Sequence, residues 1–502
     1  MNTLFDRIRA RMPAPDKLFL ETESGRRLSY GDVLRETGRL ANCLVGLGVT
    51  PGDRVAVQVE KSPEALLLYL ATVRAGAVFL PLNPAYTLRE LEYFVRDAEP
   101  RLIVCDPGKR DGVAAMAGPG AAVETLGKQA DGSILTLAAS ASDDFDDRPR
   151  GAGDLAAILY TSGTTGAAKG AMLTHDNLVS NAETLVEAWR FTGRDVLIHA
   201  LPIFHTHGLF VAGNVILFAG ASLLFFARFD PAEVIAAFPR ATTMMGVPTF
   251  YVRLLDHPGL AAASVRHMRL FVSGSAPLLP ETFDAWRLRT GHTILERYGM
   301  TETNMNTSNP YDGERVAGTV GPPLPGVEIR IVDPVAGTPL ATGEVGMIEV
   351  RGPNVFKGYW RMPEKTAQEF RNDGFFVTGD LGRIDRNGYV HIVGRSKDLI
   401  ITGGLNVYPK EVETEIDLID GVVESAVIGL AHPDFGEGVT AIVVRRPDAA
   451  IDEAGVIDAL DSRLARYKQP KRVLFVAELP RNQMGKVQKN MLRQQFEGLY
   501  RR

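Results

Sequence analysis

Residues 154–170, DLAAILYTSGTTGAAKG, constrain the fold more than any other stretch of the chain. DLAAILY at 154–160 predicts a strand. It runs straight into a loop of glycine, serine and threonine. The glycines let backbone N–H groups turn inward, while Thr161, Ser162, Thr164, Thr165 and Lys169 add hydroxyl donors and a charge, a combination suited to a polyphosphate. This is not a Walker A loop, because two alanines separate Gly166 from Lys169 and the following GAMLTH reads as a strand. Taken alone, the stretch reads equally well as a flexible polar turn.

The flanking sequence extends the α/β pattern. Strands are predicted at 54–60 and 101–105, with a helix at 63–76 opened by Pro63 and closed by Gly76. Residues 138–153 shift to Ala, Ser, Asp, Gly and Pro and predict an exposed connector. After Thr174 or Asp176 as N-cap, Leu178, Ala182, Leu185 and Trp189 fall on one helical face. EVGMIEVRG, GYVHIVGRS and SAVIGLAH predict strands, and the segment after Pro409 predicts a helix with Val412, Ile416 and Ile419 inward. The character changes after about Gly394. The expected organisation is a large N-terminal α/β region of several packed subdomains, residues 1–394, and a small α+β domain, residues 395–502, which suits a chain of 502 residues.

Charge excludes some classes. With 55 Lys and Arg against 60 Asp and Glu, the net charge of −5 does not make a nucleic-acid-binding surface. Residues 463–502 nevertheless carry eleven basic and two acidic side chains, so this +9 end follows a body of −14. Such an end fits a solvated face, a nucleic-acid tail or a surface for a polyanionic small molecule. Cys43 and Cys105 form no CxxC pair, which favours a reducing, cytoplasmic setting, and the N-terminal MNTLFDRIRARM has no secretory apolar segment. Residues 209–227 carry no charge, but Gly213 and Gly220 interrupt them, predicting a buried helix, a turn and a buried strand in place of a membrane span.

Four further glycine-marked blocks follow the first. YGMTET at 298–303 combines an aromatic ring, hydroxyls and the carboxylate of Glu302, able to stack a base and meet Mg²⁺. TGDLG at 378–382 sets Asp380 between glycines, suited to accept from ribose hydroxyls. GRSKDLIITGGLNVYPKEVE at 394–413 offers Arg395 and Lys397, and LPRNQMGKVQK at 479–489 offers Lys486 after a glycine. Singly, each is as easily a loop, a cap or a solvated face.

In this order and spacing the five blocks resemble the adenylate-forming acyl-CoA synthetases, a family that includes luciferases and peptide-synthetase adenylation domains, over essentially the whole chain. LPIFHTHGLF, VPTFYVRLL, SGSAPLL and YGMTETNMNTSNPYDG are similar to its malonate-activating members. The resemblance implies the adenylate-forming fold with a mobile C-terminal domain, and ATP, Mg²⁺ and coenzyme A as reactants. It implies AMP-forming ligation of malonate, and of methylmalonate, through an acyl-adenylate. Another short acid, carrier loading, or adenylate sensing without thioester formation are the alternatives.

Carried over, Thr161, Ser162, Gly163, Thr164, Thr165, Gly166 and Lys169 form the phosphate loop. Tyr298, Gly299 and Thr301 lie at the nucleotide, Glu302 contacts the metal, and Asp380 and Arg395 bind the ribose. Lys486, Thr165 and Glu302 are the catalytic candidates, with Lys486 as adenylation lysine. Lys397 marks the hinge, while Gly403 and Gly404 line the coenzyme A channel, where side chains would obstruct pantetheine. The second carboxylate of a dicarboxylic acid requires a buried cation. Arg253 is the first choice and Arg269 the second; His207 or His205, Ser273, Gly274, Ser275 and Met300 complete the acyl pocket. A lysine acetyltransferase and deacetylase acting at Lys486 are a further expectation, since acetylation removes the charge.

Overall fold

The computed structural model describes residues 1–161, 168–403, 405–461, 463–482 and 485–500. The chain divides into two compact units, one of Met1–Glu328 with Val350–Phe376, the other of Ile329–Glu349 with Val377–Arg502. Residues 395–502 belong wholly to the second unit, together with 377–394 and the 329–349 segment.

In the first unit the predicted central strand forms over Leu155–Thr161 and pairs antiparallel with Lys169–Thr174, setting Thr161 opposite Lys169. Among the described residues it belongs to a six-stranded sheet. Beyond it lie Val78–Pro81, Arg54–Gln58, Leu102–Cys105 and Ala122–Thr125, all parallel. Helix Pro63–Arg74 starts with Pro63 behind the Ser62 cap, and helix His175–Ala188 starts with a capping box on Thr174 and Asn177. Leu178, Ala182, Leu185 and Trp189 are buried, as their spacing predicts.

The eight-stranded sheet of this unit positions the site. Its parallel centre runs Leu295–Met300, Leu270–Ser273, Thr243–Gly246, Val196–His199, Ser222–Phe225 and Leu18–Thr22, with antiparallel strands Asn304–Ser308 and Arg27–Ser29 at the edges. Leu270–Ser273 and Thr243–Gly246 are buried at every position, the signature of a sheet covered on both faces. On one face Trp286 meets Tyr251 and Phe271 edge-on, with ring centroids 5.1 and 4.9 Å apart. His207, Ser273 to Ser275 and Tyr298 to Met300 all follow or end such strands, at the carboxyl ends where open α/β sheets bind ligands.

Residues 209–227 form the predicted sequence of buried helix, turn and strand, with one difference. The helix begins as a π-helical stretch, His207–Asn214, before continuing as Val215–Ala219. Gly220 then caps it at φ 60° and strand Ser222–Phe225 follows. Among the described residues no helix is long and apolar enough to cross a membrane.

Arg269, the second candidate for the distal carboxylate, is engaged elsewhere. Its Nε and Nη2 donate to the two carboxylate oxygens of Asp195 at 2.7 and 2.9 Å, and Nη1 donates to the Trp189 carbonyl at 3.0 Å. A guanidinium already clasping a carboxylate bidentately is a structural tie, so that assignment is corrected.

His175 and His199 are buried, and burial lowers their pKa to about 4 and about 3, the nearby Lys61 ammonium adding to the effect on His199. Both are neutral when folded, whereas in the unfolded chain each takes a proton near pH 6.5. Their contribution is therefore complete above pH 6.5 and shrinks as pH falls toward 4, by about 1 kcal/mol per imidazole at pH 5.5. Thermal melts at pH 7.5 and 5.5 are expected to show a lower Tm at the acid value, and His175→Asn to reduce that difference.

The second unit has its own core. Val422–His432 and Gly436–Arg445 form a long hairpin, with Arg472–Val476 parallel to Gly436–Arg445 and the short strands Ile400–Thr402 and Leu405–Val407 beyond. Alternation divides its side chains: Val427, Val439, Ala441 and Val443 pack with Val412 and Ile416 of helix Pro409–Asp417, while Ala426, Ile428 and Ile442 pack with Leu492 of Lys489–Gln495. The remaining sheet orders Glu328–Val332, Gly346–Arg351, Phe376–Ile384 and Val390–Arg395.

Candidate active site

Within the first unit, the strand pairing that joins Thr161 to Lys169 leads to a side chain the sequence did not single out. The Lys169 ammonium lies 4.2 Å from the centre of the Tyr359 ring, and the Tyr359 hydroxyl donates to Glu302 Oε1 at 3.0 Å. One aromatic ring thus touches both the candidate phosphate lysine and the candidate metal carboxylate. Lys169 also lies 3.8 Å from Glu369. Ser162, Gly163, Thr164, Thr165 and Gly166, the rest of the phosphate loop, lie outside the described residues.

Glu302 is buried in the turn between strands Leu295–Met300 and Asn304–Ser308. Among the described residues no group of three or more His, Cys, Asp and Glu could hold a metal ion. Mg²⁺ typically takes one or two carboxylates plus phosphate oxygens and water. A single buried carboxylate fits an ion that arrives with a triphosphate and does not fit one caged by protein alone.

The same hairpin sets out the nucleotide candidates. Tyr298, Met300 and Thr301 are half-buried, and the Tyr298 hydroxyl reaches the Met300 sulfur at 3.8 Å. Pairing shifts register between Tyr298 and Gly299, and a Cβ on Gly299 would stand 1.8 Å from the Asn304 carbonyl oxygen. Backbone approach at this bulge therefore requires glycine.

At the neighbouring strand ends, His207 Nδ1 and Ser275 Oγ are 3.1 Å apart. Burial holds the His207 pKa well below the ordinary range, and the Arg297 charge adds to the effect. Ser275 adopts φ 71°, which carries its hydroxyl toward the imidazole. A Cβ on Gly274 would stand 2.5 Å from Cζ and Nη1 of Arg297, so that guanidinium lies directly over Gly274. Arg297 is 3% exposed, and burial lowers its pKa to about 9. Ser273 is buried, His205 is half-buried, and burial lowers the His205 pKa to about 4.

Arg253 is not part of this cluster. It lies on helix Pro248–Asp256, exposed, with its guanidinium carbon 5.1 Å from the Phe229 ring centre. Alternate faces of that helix explain the difference: Tyr251 and Leu254 turn inward, and Val252 and Arg253 turn out. Arg297, which sequence reasoning missed, had one signal, an adjacent Glu–Arg pair inside an otherwise apolar strand.

The remaining candidates belong to the second unit. Asp380 and Arg395 face each other across paired strands, and Arg395 Nε lies 2.6 Å from Asp380 Oδ1. Lys397 occupies the one-turn 3₁₀ helix Ser396–Asp398, and Asp398 accepts from Arg493 at 2.6 Å. Lys486 is exposed as a residue, yet neighbouring protein desolvates its ammonium enough to lower the pKa to about 8. Arg395 adds to that shift and Asp380 opposes it, and solvent contact weakens the shift without changing its sign. Asp380, Arg395, Lys397 and Lys486 thus share one electrostatic cluster with an excess of positive charge. Gly403 has φ 57°, a conformation that itself favours glycine, while Gly404 lies outside the described residues.

Residues 8–360 match the AMP-binding enzyme family, and residues 411–486 match the AMP-binding enzyme C-terminal domain. The solved structure of ATP-bound MatB from Rhodopseudomonas palustris is 63% identical over the full length of both chains, with a TM-score of 0.98. Feruloyl-CoA synthase from Amycolatopsis sp is 37% identical, covering 94% of each chain. Malonate–CoA ligase from Arabidopsis thaliana is 34% identical over 96% of this chain and 86% of its own.

Proposed function

The chain belongs to the AMP-binding enzyme family, and from that premise we propose that it ligates malonate to coenzyme A with ATP, releasing AMP and pyrophosphate. The relatives include enzymes named for an aromatic acid and for malonate, so the acyl region must decide between acids. The observation that carries the malonate reading is the polarity of that region. Buried Arg297, His207 and Ser273 gather where an aromatic or fatty acid would need apolar walls.

The chemistry runs in two displacements. A carboxylate is a poor acyl donor because its leaving group would be oxide, so one carboxylate oxygen first attacks the α-phosphorus and pyrophosphate departs. The thiol sulfur then attacks the carbonyl carbon, and AMP departs. Lys486 supplies a point charge between the attacking carboxylate and the α-phosphate as negative charge shifts between them. Residues 161–169 cradle the phosphates with Lys169, and Tyr359 orients both Lys169 and Glu302. Glu302 would hold Mg²⁺, which when bound would supply neutralisation of phosphate charge. Asp380, steadied by Arg395, accepts from the ribose hydroxyls, while Tyr298, Gly299 and Thr301 flank the base.

Residues 395–502 act as the mobile domain in this reading, pivoting at Lys397, with Gly403 and Gly404 at the pantetheine channel. Methylmalonate is a second substrate, and the setting is cytoplasmic. Acetylation by a lysine acetyltransferase at exposed Lys486 would block adenylation, because it removes the charge.

A substrate panel tests the reading. Pyrophosphate release is expected to be fastest with malonate, then methylmalonate, and at least about tenfold slower with acetate, succinate, ferulate or octanoate. Acetate, ferulate or octanoate exceeding malonate would overturn it. Adenylate formation without any coenzyme A thioester would instead favour carrier loading or sensing.

A further inference from the structure

We propose that Lys61 and His199 are positioning residues for the acyl region, Lys61 holding the His199 imidazole and His199 holding the Gly208 carbonyl, so that the adjoining His207 ring stays set at the reacting acid. The reading above places His207 at the acid, and this inference rests on it for that alone.

The line of contacts crosses the first unit. Lys61 lies between strand Arg54–Gln58 of the six-stranded sheet and helix Pro63–Arg74, whereas His199 ends strand Val196–His199 of the eight-stranded sheet. The Lys61 ammonium donates to His199 Nδ1 at 2.9 Å and to the His199 carbonyl at 2.8 Å. At the other end of the ring, His199 Nε2 lies 2.8 Å from the Gly208 carbonyl oxygen. A carbonyl only accepts, so Nε2 carries the proton and Nδ1 is the acceptor that Lys61 fills. Both ring nitrogens are committed, and the two partners fix the tautomer. Phe225, opposite His199 in the paired strand, packs beside them, its ring centre 4.3 Å from the ammonium and 5.3 Å from the imidazole centre.

An ammonium in this position carries a penalty. Lys61 is half-buried as a residue, but protein surrounds its ammonium, and that burial lowers its pKa well below the ordinary range, with the Glu23 carboxylate opposing. An apolar side chain of the same length would fill the space without desolvating a charge, so the donor itself has a task.

What it holds is the start of the π-helical stretch His207–Asn214. Such winding is found mostly at functional sites. A Cβ on Gly208 would stand 2.1 Å from the Pro202 carbonyl oxygen, so the backbone here presses on the preceding loop with no side chain between. One residue earlier, His207 meets Ser275 Oγ at 3.1 Å through Nδ1, while its Nε2 is buried without a partner among the described residues. The ring is therefore aimed by that one side-chain hydrogen bond and by its backbone, and His199 secures the backbone.

Full-length wild type, Lys61→Met, Lys61→Arg, His199→Leu, His199→Gln and His207→Asn are compared by pyrophosphate release with whichever acid wild type uses fastest, so the outcome stands whether or not that acid is malonate. Lys61→Met keeps the stem and loses the donor. Its kcat is expected to fall about 50-fold, the scale of a ~1 Å displacement near a reacting group, with the KM for ATP within about threefold of wild type. Lys61→Arg, which keeps N–H donors, recovers most of that loss. His199→Gln, whose amide can still donate to Gly208, stays well above His199→Leu. Adding Lys61→Met to His207→Asn lowers kcat by less than about twofold, because both act through one ring. In ¹⁵N-histidine spectra of wild type, the signal missing from His199→Gln is that of an Nε2–H tautomer. Losses that multiply in the double variant, an Nδ1–H tautomer for His199, or a Lys61→Met kcat close to wild type each overturn the proposal. A rise in the KM for ATP matching the fall in kcat marks a general structural defect and overturns it too. Should Lys61→Met fail to fold, the order of His199→Gln above His199→Leu decides, together with the tautomer. Wild type releasing no pyrophosphate with any acid ends the functional reading, while the spectrum still tests the contact.

Discussion

Lys486→Ala is expected to slow malonate-dependent pyrophosphate release by about 10²- to 10³-fold while leaving thioester formation from synthetic malonyl-adenylate within about threefold. The asymmetry follows from where charge moves. Only the first displacement brings a carboxylate against a triphosphate, and an ammonium between them offsets repulsion that an alanine leaves in place. Its lowered pKa, about 8, adds a pH signature. Deprotonation removes the working charge, so kcat/KM for adenylation should decline as pH rises through about 8. Bound polyanions favour the charged form, so the corresponding limb in kcat should lie higher. Stopped assays of each half-reaction across pH 6.5–9.5 check both statements. Equal losses in the two half-reactions would remove Lys486 from the chemistry.

Glu302→Gln is expected to lower the adenylation kcat by about 10²-fold and to raise the Mg²⁺ concentration for half-maximal rate by about tenfold. The amide keeps the shape and can still meet the Tyr359 hydroxyl, but the charge that attracts the ion is gone. Tyr359→Phe removes only an orienting hydrogen bond, so its loss should stay below about tenfold. A Mg²⁺ titration that is superimposable for wild type and Glu302→Gln would show that the carboxylate has another task.

Much of the fold was legible because the signals were local. Pro63 and Gly76 bracket a helix, Thr174 caps the next, and the inward stripe Leu178, Ala182, Leu185 and Trp189 is buried as its spacing requires. The π-helical start at His207–Asn214 left no such mark, since its residues are apolar all round and no periodicity separates 3.6 from wider winding. The order of the glycine-marked blocks exposed the chemistry, and Asp380 with Arg395 meet across one strand pair. Tyr359 was invisible: it lies 57 residues beyond Glu302 and meets it only through tertiary packing. The exposure of Arg253 and the burial of Arg297 were hidden for a related reason. Helical phase places Arg253 next to inward-facing Tyr251 without fixing its own direction, whereas Arg297 is buried, like its neighbour Glu296, because both faces of its strand are covered at that point.

The buried guanidinium over Gly274 has an evolutionary corollary. A cation sealed inside before any acid arrives is a liability to the empty protein, and replacing it with a well-packed apolar side chain can stabilise a fold by about 1–4 kcal/mol. Selection for heat resistance alone would therefore tend to discard Arg297, and with it the polarity on which the malonate reading rests. Keeping fidelity during such a campaign demands that malonate be present in every round.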